Sequence, residues 1–207
     1  MSLPYPALIL DFGGVITTNF HAALRTFCVR EGLAPDALEQ LFRDDPVVRA
    51  FLIDAERGRV SQGELEIVLG NALGIDSVGL LGRVAADLRP CQPVLDLAEH
   101  ARTAGTIVGV LSNSWGTDTH DVYDTYNLDD RFDSVVISDK VGMRKPDEDI
   151  YLLMVDKLGV APADCVFVDD TPANLSPAQA LGMAVVHFTD VATGVAEIRS
   201  LIGLARP

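Results

Sequence analysis

The run Ala7-Leu8-Ile9-Leu10-Asp11-Phe12-Gly13-Gly14-Val15 decides how this chain is read. Its four apolar residues, ended by an acid and two glycines, predict a short buried strand closed by a tight turn. In an open parallel α/β sheet, ligands bind outside the carboxyl ends of the strands. Asp11 stands at such an end.

Three further polar clusters follow in order. Ser112-Asn113-Ser114 comes after the apolar run Ile107-Val108-Gly109-Val110-Leu111, Arg144-Lys145-Pro146 is next, and Asp169-Asp170 comes after Val166-Phe167-Val168. A carboxylate, a hydroxyl, a lysine and a carboxylate pair converging on one pocket suit an anionic, metal-bound phosphate. Lys145 is conspicuous because the only other lysines are Lys140 and Lys157.

Between the first two clusters the pattern is helical. Leu38, Leu41 and Phe42, then Val47, Phe51 and Leu52, recur at helical spacing, and Ser61-Gln62-Gly63-Glu64 has the form of a capping box. Residues 18–90 therefore predict an all-helical insertion of about four helices, punctuated by Gly58, Gly74 and Gly82. Beyond Pro90 and Pro93 the alternation of strand and helix resumes. Strands are predicted at 106–111, 134–138, 165–168 and 184–188, and helices at 93–104, 119–126, 147–158, 172–181 and 193–204. That alternation implies βαβ units and a parallel sheet. Pro146 suits the first position of the 147–158 helix, Asp147, Glu148 and Asp149 complement its dipole, and Gly159 closes it.

Length and composition bound the function. At 207 residues the chain can bury one full core and carry a small second module. A net charge of −14 argues against nucleic acid or an anionic membrane as partner. Cys28, Cys91 and Cys165 fit no zinc spacing and read as reduced thiols of a cytoplasmic protein. The opening Met1-Ser2-Leu3-Pro4-Tyr5-Pro6 lacks the basic and apolar regions of a secretory signal, and no apolar run approaches the ~20 residues of a membrane helix.

Each cluster carries distinct chemistry. A strand-end carboxylate such as Asp11 can attack a phosphoryl group, and Gly13 and Gly14 let the backbone approach phosphate. Mg²⁺ is held by one or two carboxylates plus water and phosphate, so Asp170 is read as a ligand with Asp169 behind it. Ser112 and Asn113 offer a hydroxyl and N–H groups to phosphoryl oxygens, and Lys145 balances the charge of phosphate and Asp11. His100 and His120 read as surface residues, and His187 falls on the last predicted strand.

Together these motifs resemble the haloacid dehalogenase superfamily of phosphatases and related hydrolases. The stretch from Phe167 to Leu175, with Leu181-Gly182-Met183, is similar to the amino-terminal phosphatase domain of soluble epoxide hydrolases and to bacterial sugar-phosphate phosphatases of that branch. The resemblance implies a Rossmann-like, three-layer parallel α/β core formed by residues 1–17 and 91–207, with 18–90 as a helical cap inserted after the first strand. It implies Asp11 as nucleophile and metal ligand, Ser112, Asn113 and Lys145 as catalytic or phosphate-binding groups, and Asp170 with the carbonyl of Gly13 completing the Mg²⁺ shell.

One departure stands out. Most phosphatases of the superfamily carry a general acid–base Asp two residues after the nucleophile, where this chain has Gly13. A positioned acid–base is worth roughly 10²–10⁴ in rate. Either His21 or Asn19 compensates, or the leaving group needs no acid, or phosphate is bound without efficient turnover. The expectation is a Mg²⁺-dependent phosphatase of a small phosphorylated metabolite, sugar phosphates included, working as a monomer or homodimer. The rivals are a weakly catalytic phosphate-binding or regulatory protein and a metal-free 2-haloacid dehalogenase, the latter opposed by Asp169-Asp170. Specificity is expected in the insertion, at Asn19, His21 and the Glu56-Arg57-Gly58 turn.

Overall fold

Strand β1 (Ala7–Leu10) lies at the centre of a five-stranded, wholly parallel sheet of order β3-β2-β1-β4-β5. The other strands are β2 (Ile107–Ser112), β3 (Ser134–Ile137), β4 (Cys165–Asp169) and β5 (Ala184–His187). The computed structural model describes residues 4–205, so Met1 to Leu3 of the opening segment lie outside the described residues.

Side chains of β1 alternate between two cores, as the strand period of two demands. Leu8 and Leu10 pack beneath α6 (Gln92–Thr103) and α11 (Val191–Ile202), against Val94, Leu97, Ile198 and Ile202. Ala7 and Ile9 face the opposite layer, formed by α9 (Glu148–Leu158) and α10 (Pro172–Ala180), with Tyr151, Met154 and Leu175. Gly109 interrupts β2 for a packing reason, since a Cβ there would fall 2.0 Å from Met154 Cε.

Five helices separate β1 from α6: α1 (Phe20–Arg30), α2 (Ala37–Asp44), α3 (Pro46–Glu56), α4 (Gln62–Leu73) and α5 (Leu80–Ala85). They enclose an apolar cluster of their own, with Phe27, Leu38, Leu65, Leu69 and Leu80 fully buried. The chain enters and leaves this layer side by side. Thr17 bridges Pro90, Thr18 N–H donates to Arg89 O at 2.8 Å, and Cys91 N–H donates to Ile16 O at 2.8 Å.

Several expectations need correction. The insertion has five helices rather than four, because Gly82 lies inside α5 instead of ending a helix. No helix spans 119–126. That stretch is a loop with one short turn at Asp124–Tyr126, followed by the short α7 (Leu128–Arg131). A second short helix, α8 (Ser138–Val141), follows β3 directly. Helix α9 starts at Glu148, so Pro146 precedes it, and Asp147 pairs with Arg57 at 2.7 Å instead of capping it. The capping box on α4 forms, with Ser61 N–H to Glu64 Oε2 at 2.9 Å and Glu64 N–H to Ser61 Oγ at 3.3 Å. All three cysteines are free and buried. Among the described residues no helix is long and apolar enough to cross a membrane.

Candidate active site

Register brings the polar clusters together. Leu10 pairs with Val110 on one side and Val168 on the other, so Asp11 and Asp169 lie level one residue beyond the ladder. Asp11 N–H donates to Val168 O at 2.9 Å, which ties the two strand ends. Asp11, Asp169 and Asp170 each offer a carboxylate oxygen within 4.8 Å of the others.

Lys145 reaches this cluster from the segment before α9. Its Nζ donates to Asp11 Oδ1 at 2.7 Å and to Asp169 Oδ2 at 2.6 Å, and the residue is 1% exposed. Burial by itself would push the ammonium down, but the charges of Asp11 and Asp169 outweigh it and hold it above the ordinary lysine value. Asp11 is pushed up to about 7, by burial first and then by Asp169 and Asp170, with Lys145 pulling the other way. Burial and the neighbouring Asp169 also raise Asp170. Three carboxylates around one ammonium leave an excess of negative charge that a cation would relieve.

The chemistry of the donors fits a hard divalent ion, which favours oxygen ligands. Asp169 is already engaged: it accepts from Thr171 N–H at 2.8 Å and from Asn174 Nδ2 at 3.1 Å to each oxygen, besides Lys145. Among the described residues, Asp11 has one oxygen on Lys145 and the other uncommitted, and Asp170 accepts only from Thr171 Oγ1, at 3.1 Å. Asp11 and Asp170 are thus the carboxylates able to hold a metal, while Asp169 anchors Lys145.

Gly14 serves a purpose different from the one expected. Its φ is +80°, and a Cβ there would lie 2.1 Å from Asp170 Oδ2. The absent side chain makes room for Asp170, and Gly14 does not line the cavity. Gly13 does line it, and a Cβ at Gly13 would meet only Phe20, at 3.8 Å.

The Asn113 side chain has a task of its own. Its Oδ1 accepts from Lys145 N–H at 2.8 Å and its Nδ2 donates to Lys145 O at 3.0 Å. The side chain is a clamp on the lysine backbone, leaving only the Asn113 N–H for an oxyanion. Ser112 Oγ lies 2.9 Å from Tyr123 Oη and donates to Asn113 O at 3.2 Å, and the residue lines the cavity with Asp11 and Lys145. Tyr123 is buried and its phenol is pushed up by that burial, so it stays a neutral partner.

The helical layer contributes unequally. His21 lines the cavity, with Nδ1 2.9 Å from Glu39 Oε1. Asn19 does not: it is exposed and its Oδ1 caps α1 by accepting from Ala22 N–H at 2.8 Å. Arg57 is held by Asp147 away from the cavity, while its neighbour Glu56 lines the wall paired with Arg144. His120, expected at the surface, is exposed but borders the cavity. His187 is exposed on β5, its Nε2 3.1 Å from Asp170 O.

Three contributors escaped the sequence reading. Buried Gln62 clasps the loop after β2, donating to Gly116 O at 2.6 Å and His120 O at 2.9 Å. It also accepts from Thr119 N–H at 2.8 Å, Thr119 Oγ1 at 2.7 Å and His120 N–H at 2.8 Å. No local pattern announces it. Tyr123 sits in a stretch misread as helix. Asn174 was visible near the start of a helix after Asp169-Asp170, a place where an amide can reach back to the strand end.

A family model of haloacid dehalogenase-like hydrolases matches residues 5–182. A sesquiterpene phosphatase of Aspergillus oryzae is 29% identical over 151 residues, 72% of this chain and 77% of that protein. Bifunctional epoxide hydrolase 2 of Sus scrofa is 34% identical over 116 residues, 54% of this chain but only 21% of that protein. The solved structure of a haloacid dehalogenase family enzyme from Bacteroides thetaiotaomicron, in complex with magnesium and inorganic phosphate, superposes with a TM-score of 0.68. The two share 22% identity over 88% of this chain and 93% of that one, a likeness of fold. With most of its length matched by the family model, the chain belongs to the haloacid dehalogenase-like hydrolases.

Proposed function

We propose that the chain is a Mg²⁺-dependent phosphatase of a small phosphate monoester, working through a phosphorylated Asp11. The observation that carries this reading is Lys145 Nζ bonded at once to Asp11 and Asp169, beside Asp170 and under a lined cavity. The phosphatase relative supports the same reaction class. The Asp11 oxygen bonded to Lys145 attacks phosphorus, which leaves the uncommitted one for the metal, and the ester P–O bond breaks, its electron pair leaving with the alcohol oxygen, which takes up a proton. Water then attacks phosphorus, the Asp11–phosphorus linkage breaks, and inorganic phosphate and the carboxylate are regenerated.

Lys145 lowers the repulsion between Asp11 and the incoming anion, and Ser112 Oγ with the Asn113 N–H faces the phosphoryl oxygens. Asp11, Asp170 and the Gly13 carbonyl would hold Mg²⁺, which when bound supplies positive charge to the carboxylates and phosphoryl oxygens. We assign the leaving-group proton to His21, which Glu39 orients, because Gly13 has no carboxylate. Residues 18–90 act as the cap over a core of 1–17 and 91–207.

Mg²⁺-dependent release of phosphate from p-nitrophenyl phosphate and a panel of alkyl and sugar phosphates tests the reading. Activity lost in Asp11→Asn, with an unchanged circular dichroism spectrum, is the expected result. Wild-type protein that binds Mg²⁺ and phosphate yet releases none from any ester would overturn it in favour of a phosphate-binding protein.

A further inference from the structure

We infer that the alcohol portion of the substrate is a hydrocarbon chain rather than a sugar, a reading that rests on the phosphatase assignment above. The carrying observation is the lining of the cavity, whose volume is about 290 Å³. Beyond the carboxylate cluster its wall includes Leu81, Val84, Ala85 and Leu88, spaced i, i+3, i+4 and i+7 along α5 and the turn that ends it. Such spacing puts Leu81, Val84 and Ala85 on one face of the helix, and Leu88 joins them from the segment just beyond its end. Trp115 and Val122, from the loop after β2, line the cavity as well. Trp115 is fixed edge-on against Phe20, ring centroids 5.3 Å apart, so this aromatic wall is preformed.

Several polar side chains of the same wall are committed elsewhere, whereas Arg144 spends only its Nε, on Glu56, and keeps its two Nη groups without a protein partner among the described residues. Both ends of the Gln62 amide are used on the 116–120 loop. Glu56 is paired with Arg144, both ends of the Asn113 amide hold the Lys145 backbone, and Asn174 Nδ2 holds Asp169. His21 has one nitrogen on Glu39, and its other nitrogen is assigned above to the leaving oxygen. The exposed His120 ring is the one imidazole left without a protein hydrogen bond among the described residues. A sugar would bury several hydroxyls against six apolar side chains with few partners beyond the Arg144 Nη groups and His120, and an unpartnered buried hydroxyl is penalised. An alkyl or isoprenoid chain loses no hydrogen bonds there and gains apolar burial.

The test is a homologous series of primary n-alkyl phosphates, from methyl to octyl, run with dimethylallyl phosphate, glucose 6-phosphate and p-nitrophenyl phosphate. Each added methylene that enters the cavity should raise kcat/KM about fourfold, until the cavity is filled and the rise stops. Glucose 6-phosphate should fall well below pentyl phosphate. Phosphate release with no dependence on chain length, or with glucose 6-phosphate as good as pentyl phosphate, overturns the inference while leaving the phosphatase assignment standing. Release from none of these esters defeats that assignment instead. The affinities of non-hydrolysable methyl-, pentyl- and octylphosphonate for the native chain then decide: tighter binding of the longer chains supports an apolar occupant, and equal binding refutes it. Leu88→Gln, at a half-buried position, should lower the pentyl-to-methyl ratio, and an unchanged ratio in a folded variant also counts against the proposal.

Discussion

Replacing Asp170 by Asn should stabilise the metal-free protein and abolish its stabilisation by Mg²⁺. Asp11, Asp169 and Asp170 place oxygens within 4.8 Å of one another, and Lys145 bonds the first two but not the third. Two full charges at that distance repel by roughly 3.5 kcal/mol at an effective dielectric constant of about 20. Charge shared over two oxygens and partial exposure of Asp170 reduce this to about 2 kcal/mol. The sign follows from proton linkage. Asp11, at about 7, and Asp170 both titrate above the ordinary carboxylate value in the fold. The folded state therefore holds more protons than the unfolded one between about pH 4 and 7, and stability without metal falls as pH rises through that window. The asparagine amide keeps the shape of the carboxylate and removes one of the charges.

At about pH 8, above the window, differential scanning calorimetry in EDTA should show Asp170→Asn melting about 4–8 °C above wild type, at the 2–4 °C per kcal/mol usual for this size. For the wild type, Mg²⁺ at about a hundred times its Kd should add roughly 2.7 kcal/mol, or about 5–11 °C. The variant should gain nothing. A variant that melts below wild type in EDTA, or that keeps the full Mg²⁺ shift, would refute both the charge argument and the ligand assignment.

Other consequences concern the acid, the clasp and the sheet edge. His21→Ala should slow alkyl esters by up to roughly 10²-fold and aryl esters much less, and Gly13→Asp in that background should restore the alkyl rate, since only Phe20 at 3.8 Å faces the new Cβ. Equal losses on both ester classes would remove His21 from proton transfer. Gln62→Ala should cost about 2–4 kcal/mol in urea unfolding, because five hydrogen bonds to the 116–120 loop disappear together. A cost below about 0.5 kcal/mol, the range of ordinary surface changes, would contradict the clasp. Asp133 is opposed by burial yet held below its ordinary value by the Val108 N–H at 2.8 Å and by Arg102. Its contribution is therefore present above the unfolded carboxylate value and lost as pH falls through the lower folded value. Asp133→Ala should flatten the acid limb of a stability–pH curve, and an unchanged limb would refute the assignment.

Much of the fold was legible because its signals are local. The apolar runs at β1, β2 and β4 end in polar residues within one step of the observed strand ends. The Ser61–Glu64 box and Gly159 mark helix ends through backbone hydrogen bonds that neighbouring residues satisfy. The 119–126 stretch failed because its structure is imposed from outside, by Gln62 in a different layer.

For the site, sequence alone was enough to nominate Asp11, Ser112, Lys145 and Asp170, since side-chain chemistry and position after a strand are one-dimensional properties. Tertiary structure alone decided how those groups divide the work. Asn113 clamps a backbone, Gly14 yields its space to Asp170, and Asp169 holds the lysine that Asp11 shares. The apolar wall against which a substrate would lie was equally invisible. Hydrogen bonds and cavity walls join residues tens of positions apart, and their geometry is settled only when the sheet register and the helical layer come together.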